Sequence, residues 1–517
     1  MPAEIEMKLV GPPKVLSAVS RLPLLRPLAF GKAHRTKLAS VYFDTPDGKL
    51  RRHGVGLRVR SVGRKRLQTI KSEGDGAGNV FAREEWEEEI GSDRPDLALA
   101  KGTPLRPLLT RKTKASLGPV FETVVERNEI PLRFGASEIE LAIDRGWFRS
   151  GRRRRRIGEI ELELKQGELA DLAKLAGSLA EALPVWLEVR SKAERGYALD
   201  SGDWQGAVHA GDIELDPDGN AAQAFRTIAF SCLHHLAANR DAVCRGSPEG
   251  VHQLRIGARR LRAAMSAFKD MTGGPEAEAI KGELKWITEQ LAPARDFQVL
   301  LDDVLLPLRE AYPDEPGVPL LISDIEGRRR EGLKTARATL NSERYRKAIL
   351  QIALWLAAGQ WSRSDDPLLR SWRERPIKDH AREVLHHRAK KIVKKGKRLQ
   401  ELDRAQRHKL RIAVKKLRYS TEFFASLFAG SKAAKTRKSF ETTLRALQTT
   451  LGNLNDIAVH QQLASELAGT KQQARERPQE AYAMGLVIGR EQKRAHACMA
   501  AAGKAVRKFS DAAPFWR

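Results

Sequence analysis

Residues 159–165 read Glu159-Ile-Glu-Leu-Glu-Leu-Lys165, with a charged side chain at every second position and an aliphatic side chain between. Successive side chains of a β-strand point to opposite faces of a sheet, so this spacing predicts a strand with one charged and one apolar face. An ordinary half-buried strand turns its charged face toward water. Because the charges here have both signs, an enclosed face that neutralises itself is the alternative.

The same alternation recurs along the first 200 residues. It is present in Glu4-Ile-Glu-Met-Lys8, Gly56-Leu-Arg-Val-Arg60, Gln68-Thr-Ile-Lys71 and Glu138-Ile-Glu-Leu-Ala-Ile-Asp144. Turn sequences such as Thr45-Pro-Asp-Gly48 separate the strands, and one helical pattern covers about 168–182. For the segment at Glu4 alone, a solvated strand face is the simpler interpretation. About six strands with one charged face each favour a closed sheet whose charged face lies inside.

A tunnel lined with both signs of charge suits one class of ligand. Carboxylate oxygens hold Mg²⁺ or Mn²⁺, and Lys and Arg side chains bind phosphate oxygens. A metal ion and a triphosphate together would offset a concentration of buried charge that is otherwise costly. Arg190 and Lys192 are expected to share the face of one further strand and to add to this site.

These segments resemble the CYTH family, the triphosphate tunnel metalloenzymes. The similarity covers residues 1–202 and rests on motifs that follow in the family's order: Glu4-x-Glu-x-Lys8, Tyr42-Phe-Asp-Thr45, Leu57-Arg-Val-Arg60, Thr69-Ile-Lys71, Arg83-Glu-Glu-Trp-Glu87, Glu159-Ile-Glu-Leu-Glu-Leu-Lys165 and Ser191-Lys-Ala-Glu-Arg-Gly196. The resemblance implies an α+β domain with a closed eight-stranded antiparallel β tunnel.

The resemblance also implies roles for single residues. The expected catalytic residues are Glu4, Glu6 and Lys8. The expected ligands of Mg²⁺ or Mn²⁺ are Glu4, Glu6, Asp144, Glu161 and Glu163. The expected substrate contacts are Lys8, Arg58, Arg60, Lys71, Arg127, Lys165 and Lys192. Glu85 and Glu87 match an acidic pattern, but the functional positions within 84–89 are not separable by pattern.

Family members hydrolyse inorganic triphosphate or thiamine triphosphate, or cyclise ATP. We expect hydrolysis of inorganic triphosphate to diphosphate and phosphate, because no base-recognition element is evident and because the second domain, described below, is expected to bind inorganic polyphosphate. Thiamine triphosphatase and adenylate cyclase activity remain alternatives. A non-catalytic polyphosphate-binding scaffold, whose tunnel only holds its ligand, is another.

The pattern changes after Asp212-Ile-Glu-Leu-Asp-Pro-Asp-Gly219, where long segments acquire helical spacing. We therefore expect domains at 1–202 and 218–510, joined by a linker at 203–217. An internal repeat is evident, because His252-Gln-Leu-Arg-Ile-Gly-Ala-Arg-Arg-Leu-Arg262 matches His408-Lys-Leu-Arg-Ile-Ala-Val-Lys-Lys-Leu-Arg418 at an offset of 156 residues.

Each copy of the repeat places a histidine and three basic residues on one stripe of a helix. The two stripes are His252, Arg255, Arg259 and Arg262, and His408, Arg411, Lys415 and Arg418. A single basic stripe is usually a solvated face. Its duplication, with the basic run 390–398 nearby, instead indicates a paired electropositive surface. An excess of Arg and Lys would repel a metal cation from the two histidines.

This region resembles the CHAD domain over about 218–510. The resemblance implies an all-α domain of two pseudo-symmetric four-helix bundles that binds inorganic polyphosphate without catalysis, through the eight residues of the two stripes. Aromatic residues are sparse among these basic residues, which weakens a reading as a single-stranded nucleic-acid binder. No specific nucleic acid is expected, although a nonspecific one remains an alternative.

Composition agrees with a polyanionic partner. The formal net charge is +27, divided as +9 over residues 1–200 and +18 over the rest. Three cysteines without CxxC spacing indicate neither a disulfide framework nor a zinc site. The N-terminus lacks the pattern of a secretory signal and no membrane partner is expected, so we predict a cytoplasmic protein; association with polyphosphate granules is left open.

Overall fold

The computed structural model describes residues 4–72, 82–204, 206–468 and 476–517. Ten strands lie in the N-terminal part of this range: β1 (Glu4–Val10), β2 (His34–Asp44), β3 (Val55–Val62), β4 (Lys65–Ser72), β5 (Ala82–Arg83), β6 (Glu85–Ile90), β7 (Gly118–Phe134), β8 (Ser137–Ser150), β9 (Arg153–Gln166) and β10 (Trp186–Glu188). Their pairings are antiparallel, which confirms the predicted antiparallel sheet.

The predicted closed eight-stranded sheet is wrong in strand number and in closure. The pairing path has two ends and runs β10-β1-β9-β8-β7-β2-β3-β4-β6, with β5 paired to β1 off this path. The free edge of β1 is shared by two short strands, because Glu4 and Ile5 pair with β5 while Lys8, Leu9 and Val10 pair with β10. One residue separates β5 from β6, the last strand of the path. The segment just before β6 therefore pairs with β1, which lies near the other end of the path.

Five α-helices accompany the sheet: α1 (Pro13–Val19), α2 (Lys49–Arg52), α3 (Arg111–Ser116), α4 (Leu169–Ala182) and α5 (Lys192–Asp200), with 3₁₀ turns at Pro23–Leu25, Leu97–Ala100 and Arg106–Leu108. The apolar face of β9 packs toward α4, since Ile160 and Leu162 share one core with Leu175. Each such buried side chain stabilises the fold by about 1.5–3 kcal/mol. The opposite face of β9, which carries the charged side chains, therefore points away from α4.

The predicted strand through Arg190 and Lys192 is wrong, because Lys192 is the first residue of α5. Ser191 caps this helix: its Oγ accepts from the amide of Glu194 at 2.9 Å, and the Glu194 carboxylate accepts from the amide of Ser191 at 2.6 Å. This reciprocal capping box satisfies two amides that a helix start otherwise leaves unpaired. The Ser-x-x-Glu spacing was visible in the sequence and should have outweighed the two-residue charge alternation.

The C-terminal part is helical, as predicted. Its helices are α6 (Ala221–Ala237), α7 (Arg240–Cys244), α8 (Pro248–Ala267), α9 (Lys269–Thr272), α10 (Pro275–Gln290), α11 (Ala292–Leu300), α12 (Leu306–Ala311), α13 (Gly317–Asn341), α14 (Glu343–Ala358), α15 (Gln360–Arg363), α16 (Pro367–Glu374), α17 (Ile377–Gly396), α18 (Arg404–Phe423), α19 (Ser431–Ala468) and α20 (Pro478–Ser510). A π-helical turn at Leu301–Leu305 joins α11 to α12, and 3₁₀ turns lie at Leu399–Glu401 and Ala425–Phe428.

The repeat extends beyond its basic motif. Helices α6 and α17 begin 156 residues apart, as do α8 and α18. The two copies contact each other reciprocally, since the amide of Ala221 donates to the carbonyl of Arg375 at 2.9 Å and the amide of Ile377 donates to the carbonyl of Gly219 at 3.1 Å. Such an exchange between equivalent positions indicates a local pseudo-two-fold axis. The finer division into two four-helix bundles stays a prediction.

The two parts of the chain pack directly on each other. Helix α4 packs on α14, and the indole of Trp186 donates to the carbonyl of Leu340 at 3.3 Å. The segment expected to be a linker lies on the helical part, where Val208 exchanges hydrogen bonds with the side chain of Asn239. Across the described ranges, no helix combines the length and apolarity that crossing a bilayer requires.

Candidate functional site

A cavity of about 310 Å³ lies against the charged face of the sheet. Among the described residues, eight of the strands, β1 to β4 and β6 to β9, contribute side chains or backbone to its wall. Its described lining includes seven carboxylates, Glu6, Glu85, Glu87, Glu129, Glu140, Glu161 and Glu163, and seven cations, Lys8, Arg58, Arg60, Lys71, Arg127, Lys165 and Lys192. The described wall is therefore close to neutral as a whole, although its charges are concentrated.

Three carboxylates form the base of this site. Asp144, Glu159 and Glu161 are buried and lie close enough together to share a metal ion. Lys192 reaches all three, with its Nζ 2.7 Å from Asp144 Oδ2 and 2.8 Å from Glu161 Oε1, and it pairs with Glu159 as well. The Lys192 ammonium thus lies among the three carboxylates and offsets part of their charge without a metal ion.

Arg127 completes the pairing of the trio. Its Nε and one Nη donate to the two oxygens of Asp144 at 2.7 Å each, and it also pairs with Glu161. Burial opposes charge on Asp144 and Glu161, but the Lys192 ammonium and the Arg127 guanidinium hold the pKa of both carboxyls below its ordinary value. The same carboxylates, against the cost of burial, raise the pKa of Arg127 and Lys192.

Three cations, Arg58, Arg60 and Lys71, lie together on β3 and β4. Arg58 and Lys71 share Glu85, at 3.3 and 2.7 Å. Burial, together with the positive charges of Arg58 and Arg127, lowers the pKa of Arg60 to about 10. An anion bound between these guanidinium groups would relieve their mutual repulsion.

The remaining predicted residues are divided between the cavity and the undescribed part. Glu6 and Lys8 pair with each other and line the cavity, and Lys8 also lies 3.7 Å from Glu161. Lys165 pairs with Glu163 at 2.7 Å and with Glu140 at 3.4 Å. The backbone of Glu4 pairs with Arg83, but the Glu4 side chain lies outside the described residues, so its assigned roles stay predictions.

Sequence reasoning missed two residues of this network, Glu159 and Arg195. They pair with each other, and burial notwithstanding, Glu159 and Glu188 raise the pKa of Arg195. Glu159 begins the alternating segment and shares a face with Glu161, so the period-two pattern could have identified it. Arg195 follows Lys192 at helical spacing, and the mistaken strand concealed that both side chains reach one site.

In the helical part, the two basic stripes meet at their centres. Burial and the charges of Arg411 and Arg259 lower the pKa of Lys415 to about 7. Because Arg259 lies on α8 while Arg411 and Lys415 lie on α18, the basic residues of the two helices form one electrostatic cluster. Two carboxylates accompany it: Asp456 lies 3.5 Å from Arg411, and Asp296 interacts with Arg255. Burial, followed by the like charge of Arg259, lowers the pKa of Arg255 to about 10.

The ends of the stripes are placed differently. Burial and the charge of Arg295 lower the pKa of His252 to about 4, so this histidine is neutral near pH 7. His408 is exposed and its Nδ1 lies 2.8 Å from Asn455 Oδ1. Arg418 pairs with Glu422. Burial and the charges of Arg388 and of the exposed Arg262 lower the pKa of Lys416, the residue that follows Lys415. The structure therefore couples six of the eight predicted residues, His252, Arg255, Arg259, Arg411, Lys415 and Arg418, and leaves Arg262 and His408 exposed.

Comparisons with known proteins match both parts of the chain. A family model described as CYTH domain matches residues 2–197, and one described as CHAD domain matches residues 227–465. An inorganic triphosphatase of Haemophilus influenzae is 30% identical over 199 residues, which are 38% of this chain and 55% of that protein. An uncharacterised protein of Mycobacterium tuberculosis is 24% identical over 322 residues, 60% of this chain and 61% of that protein.

Among solved structures, the crystal structure of the CHAD domain from the plant Ricinus communis is similar to this chain at a TM-score of 0.50 and 29% identity. That similarity covers 58% of this chain and 96% of the plant domain. The chain spans 55% of the length of the Haemophilus influenzae protein and 61% of that of the Mycobacterium tuberculosis protein.

Proposed function

This chain is a fusion of a CYTH domain with a CHAD domain, and from that premise we propose that it hydrolyses inorganic triphosphate and binds inorganic polyphosphate. The CYTH domain and the similarity to an inorganic triphosphatase support a hydrolase of phosphoanhydride bonds. The choice of inorganic triphosphate, and every role below, is the proposal.

The observation that carries the proposal is the near balance of seven carboxylates and seven cations around one cavity. A neutral wall cannot offset the four or five negative charges of a triphosphate by itself, so the ligand requires additional positive charge. Carboxylate oxygens are the donors that Mg²⁺ and Mn²⁺ prefer, and Glu6, Glu161 and Glu163 offer them at the cavity wall. The described residues thus fit a divalent metal that arrives with its substrate.

In the proposed reaction, water attacks the terminal phosphorus, the adjoining P–O–P bond breaks, and diphosphate and phosphate leave. Arg58, Arg60 and Lys71 would hold the oxygens of one end of the triphosphate, and Lys8 and Lys165 would hold the other. Glu6 would orient the attacking water, as would Glu4. The metal, when bound by Glu6, Glu161 and Glu163, would supply Lewis-acid polarisation of the phosphoryl oxygens.

The acidic trio has a supporting role in this proposal. Because Lys192 already lies among Asp144, Glu159 and Glu161, a metal-ligand role for Asp144 or for Glu161 would require the ammonium to move. The simpler assignment is that Asp144 and Glu159, which are absent from the described cavity lining, position Lys192 and Arg127, while Glu161, which lines the cavity, would exchange the ammonium for the metal. Asp144 as a metal ligand stays a prediction.

The test of the catalytic proposal is phosphate release by the purified full chain. Inorganic triphosphate, thiamine triphosphate and ATP are compared at matched Mg²⁺ or Mn²⁺ concentration, with a parallel assay for cyclic AMP. We expect the highest kcat/KM for inorganic triphosphate. Faster turnover of thiamine triphosphate, or formation of cyclic AMP, would replace the proposed substrate, and binding without turnover of any of them would leave only the scaffold.

For the helical domain, the supporting observation is that burial and the charge of Arg259 from the first repeat lower the pKa of both Arg411 and Lys415 in the second repeat. Phosphate oxygens would offset these charges, and a repeating polyanion would engage several cations at once. Binding of long-chain polyphosphate to the full chain should weaken steeply as salt rises, because counterions are released. Equal or tighter binding of duplex DNA at physiological salt would favour a nonspecific nucleic-acid binder instead.

A further inference from the structure

The first turn of α5 carries two cations of the triphosphate site. Lys192 reaches Asp144, Glu159 and Glu161, and Arg195 pairs with Glu159 from one helical turn later. All of these side chains are largely buried, so the position of the helix start determines whether the pairs can form. The capping box between Ser191 and Glu194 fixes that helix start.

The carboxylate that closes the capping box has a second partner outside the CYTH domain. Glu194 Oε2 accepts from the amide of Ser191 at 2.6 Å, while its other oxygen, Oε1, accepts from Nε2 of His234 at 2.9 Å. His234 belongs to α6 of the helical domain. One side chain therefore connects the helical domain to the N-terminus of the helix that supplies Lys192.

A second tie holds the residues that precede α5. Arg190 donates to Glu188 and, at 3.2 Å, to Asp241 of α7 in the helical domain. Glu188 lies on β10 directly opposite Lys8 of β1, a proposed catalytic residue. Residues 188–195 are thus bonded to the helical domain on both sides of Ser191. Lys192 and Arg195, within this segment, form ion pairs with the acidic trio.

We infer that the helical domain is a structural part of the triphosphate site, with His234 as a positioning residue that acts through Glu194 on Lys192. The inference rests on the proposed function of the cavity. His234 is not among the described residues that line the cavity, so the inferred effect passes through the capped turn. Loss of the His234 bond leaves Glu194 able to swing away from Ser191, and the turn that aims Lys192 becomes free to fray.

The experiment compares variants of the full chain in the phosphate-release assay. H234L removes the donor, and we expect kcat for triphosphate to fall about three- to tenfold, because only part of the stabilisation from this charge-assisted hydrogen bond is passed on to the position of Lys192. H234Q places an amide N–H near the position of Nε2 and should restore most of the turnover. The interface control is R346A, which removes a bond from Arg346 to the carbonyl of Leu183 at 3.0 Å, away from α5.

Two readouts separate positioning from a general loss of structure. In a K192M background H234L should cost little further activity, because both changes act through the same side chain. Amide exchange over residues 191–196 should accelerate in H234L but remain near wild type in H234Q and R346A. Wild-type turnover and exchange in H234L would overturn the inference, as would an equal loss in R346A.

Failure of the proposed function is recognised separately. If wild-type protein releases no phosphate from triphosphate, the proposed activity is wrong whatever the variants do. The amide-exchange comparison still decides whether His234 fixes the first turn of α5, because it requires no turnover.

Discussion

Phe268 and Phe424 occupy the same position in the two copies of the internal repeat, and their rings lie 6.0 Å apart, edge to face. A residue can contact its own counterpart only next to the axis that relates the copies. The axis therefore passes between the C-terminal ends of α8 and α18. Arg259 and Lys415 are also counterparts in the repeat, and burial with the charges of Arg411 and Arg259 lowers the pKa of Lys415, so both basic stripes face one shared region.

Loss of the Glu6 carboxylate should impair metal-dependent turnover. E6Q removes a charged metal donor from the cavity wall and weakens the nearer of the two ion pairs of Lys8, so we expect kcat for triphosphate to fall at least about tenfold and half-maximal activity to require more Mg²⁺. Metal titration of the phosphate-release rate measures both. The control is E122Q, since Glu122 forms an exposed pair with Arg149. Equal activity of E6Q and wild type at every Mg²⁺ concentration would exclude Glu6 from the metal site.

Removal of Arg60 should weaken use of the substrate. R60A takes away a guanidinium whose lowered pKa reflects burial beside Arg58 and Arg127, and we expect kcat/KM to drop by about ten- to a hundredfold. Initial-rate kinetics against triphosphate checks this. R66A is the matched control, because Arg66 pairs with Asp93 at the exposed end of the neighbouring strand. A folded R60A enzyme with wild-type kcat/KM would place the substrate elsewhere.

Asp144 should contribute strongly to stability. D144N leaves Arg127 and Lys192 with fewer buried partners, and the free energy of unfolding should decrease by about 3–5 kcal/mol in urea titrations. E138Q on the same strand, which affects only an exposed pair with Arg133, should change it by less than about 1 kcal/mol. If D144N were no less stable than E138Q, the buried network would not stabilise the domain.

The same network gives a direction for pH dependence. Asp144 and Glu161 have folded pKa values below their ordinary values of 3.8 and 4.5. The stability that they contribute is therefore present above about pH 4.5 and is lost as the pH falls through the lower folded values. Thermal melting temperatures measured from pH 6 down to pH 3 should fall more steeply for wild type than for D144N. Parallel curves would contradict this assignment.

Polyphosphate binding should take up a proton near neutral pH. Lys415 has a pKa of about 7 in the free protein, and a bound polyanion would raise it, so affinity should fall as the pH rises from 6 to 8. Calorimetric titrations in buffers of different ionisation enthalpy measure the uptake. K415R keeps its charge throughout this range and should abolish most of the uptake. Unchanged uptake in K415R would assign the proton to another group.

The neutral His252 provides a comparison for that prediction. Its pKa of about 4 means that it carries no proton over the same range, so H252N should leave the pH dependence of binding unchanged. A loss of proton uptake in H252N would instead make the histidine the titrating group.

The sequence was informative where one local pattern determines one structure. Alternation predicted the charged and apolar faces of β9, and the repeat predicted the relation between α8 and α18, because both depend on spacing within one element. The closure of the sheet could not be predicted in the same way. It depends on how two short strands share the edge of β1, which is a contact between distant segments.

The candidate site shows the same division. Arg58, Lys71 and Glu161 could be placed in the cavity from their strand positions. The occupation of the acidic trio by Lys192 could not, since it requires the position of a helix start 31 residues after Glu161. Likewise, the separation of Arg262 from the Lys415 cluster follows from the packing of neighbouring helices on α18, which the stripe alone does not encode.

The reciprocal bonds of Ala221 with Arg375 and of Ile377 with Gly219 have a consequence for the kind of polymer that suits the helical domain. A linear polyphosphate has no polarity: read from either end, its phosphoryl units are the same. A single-stranded nucleic acid has distinct 5′ and 3′ directions. Two related half-sites about an axis can both make the same contacts with a chain without polarity. A directional chain would satisfy one half-site at the expense of the other.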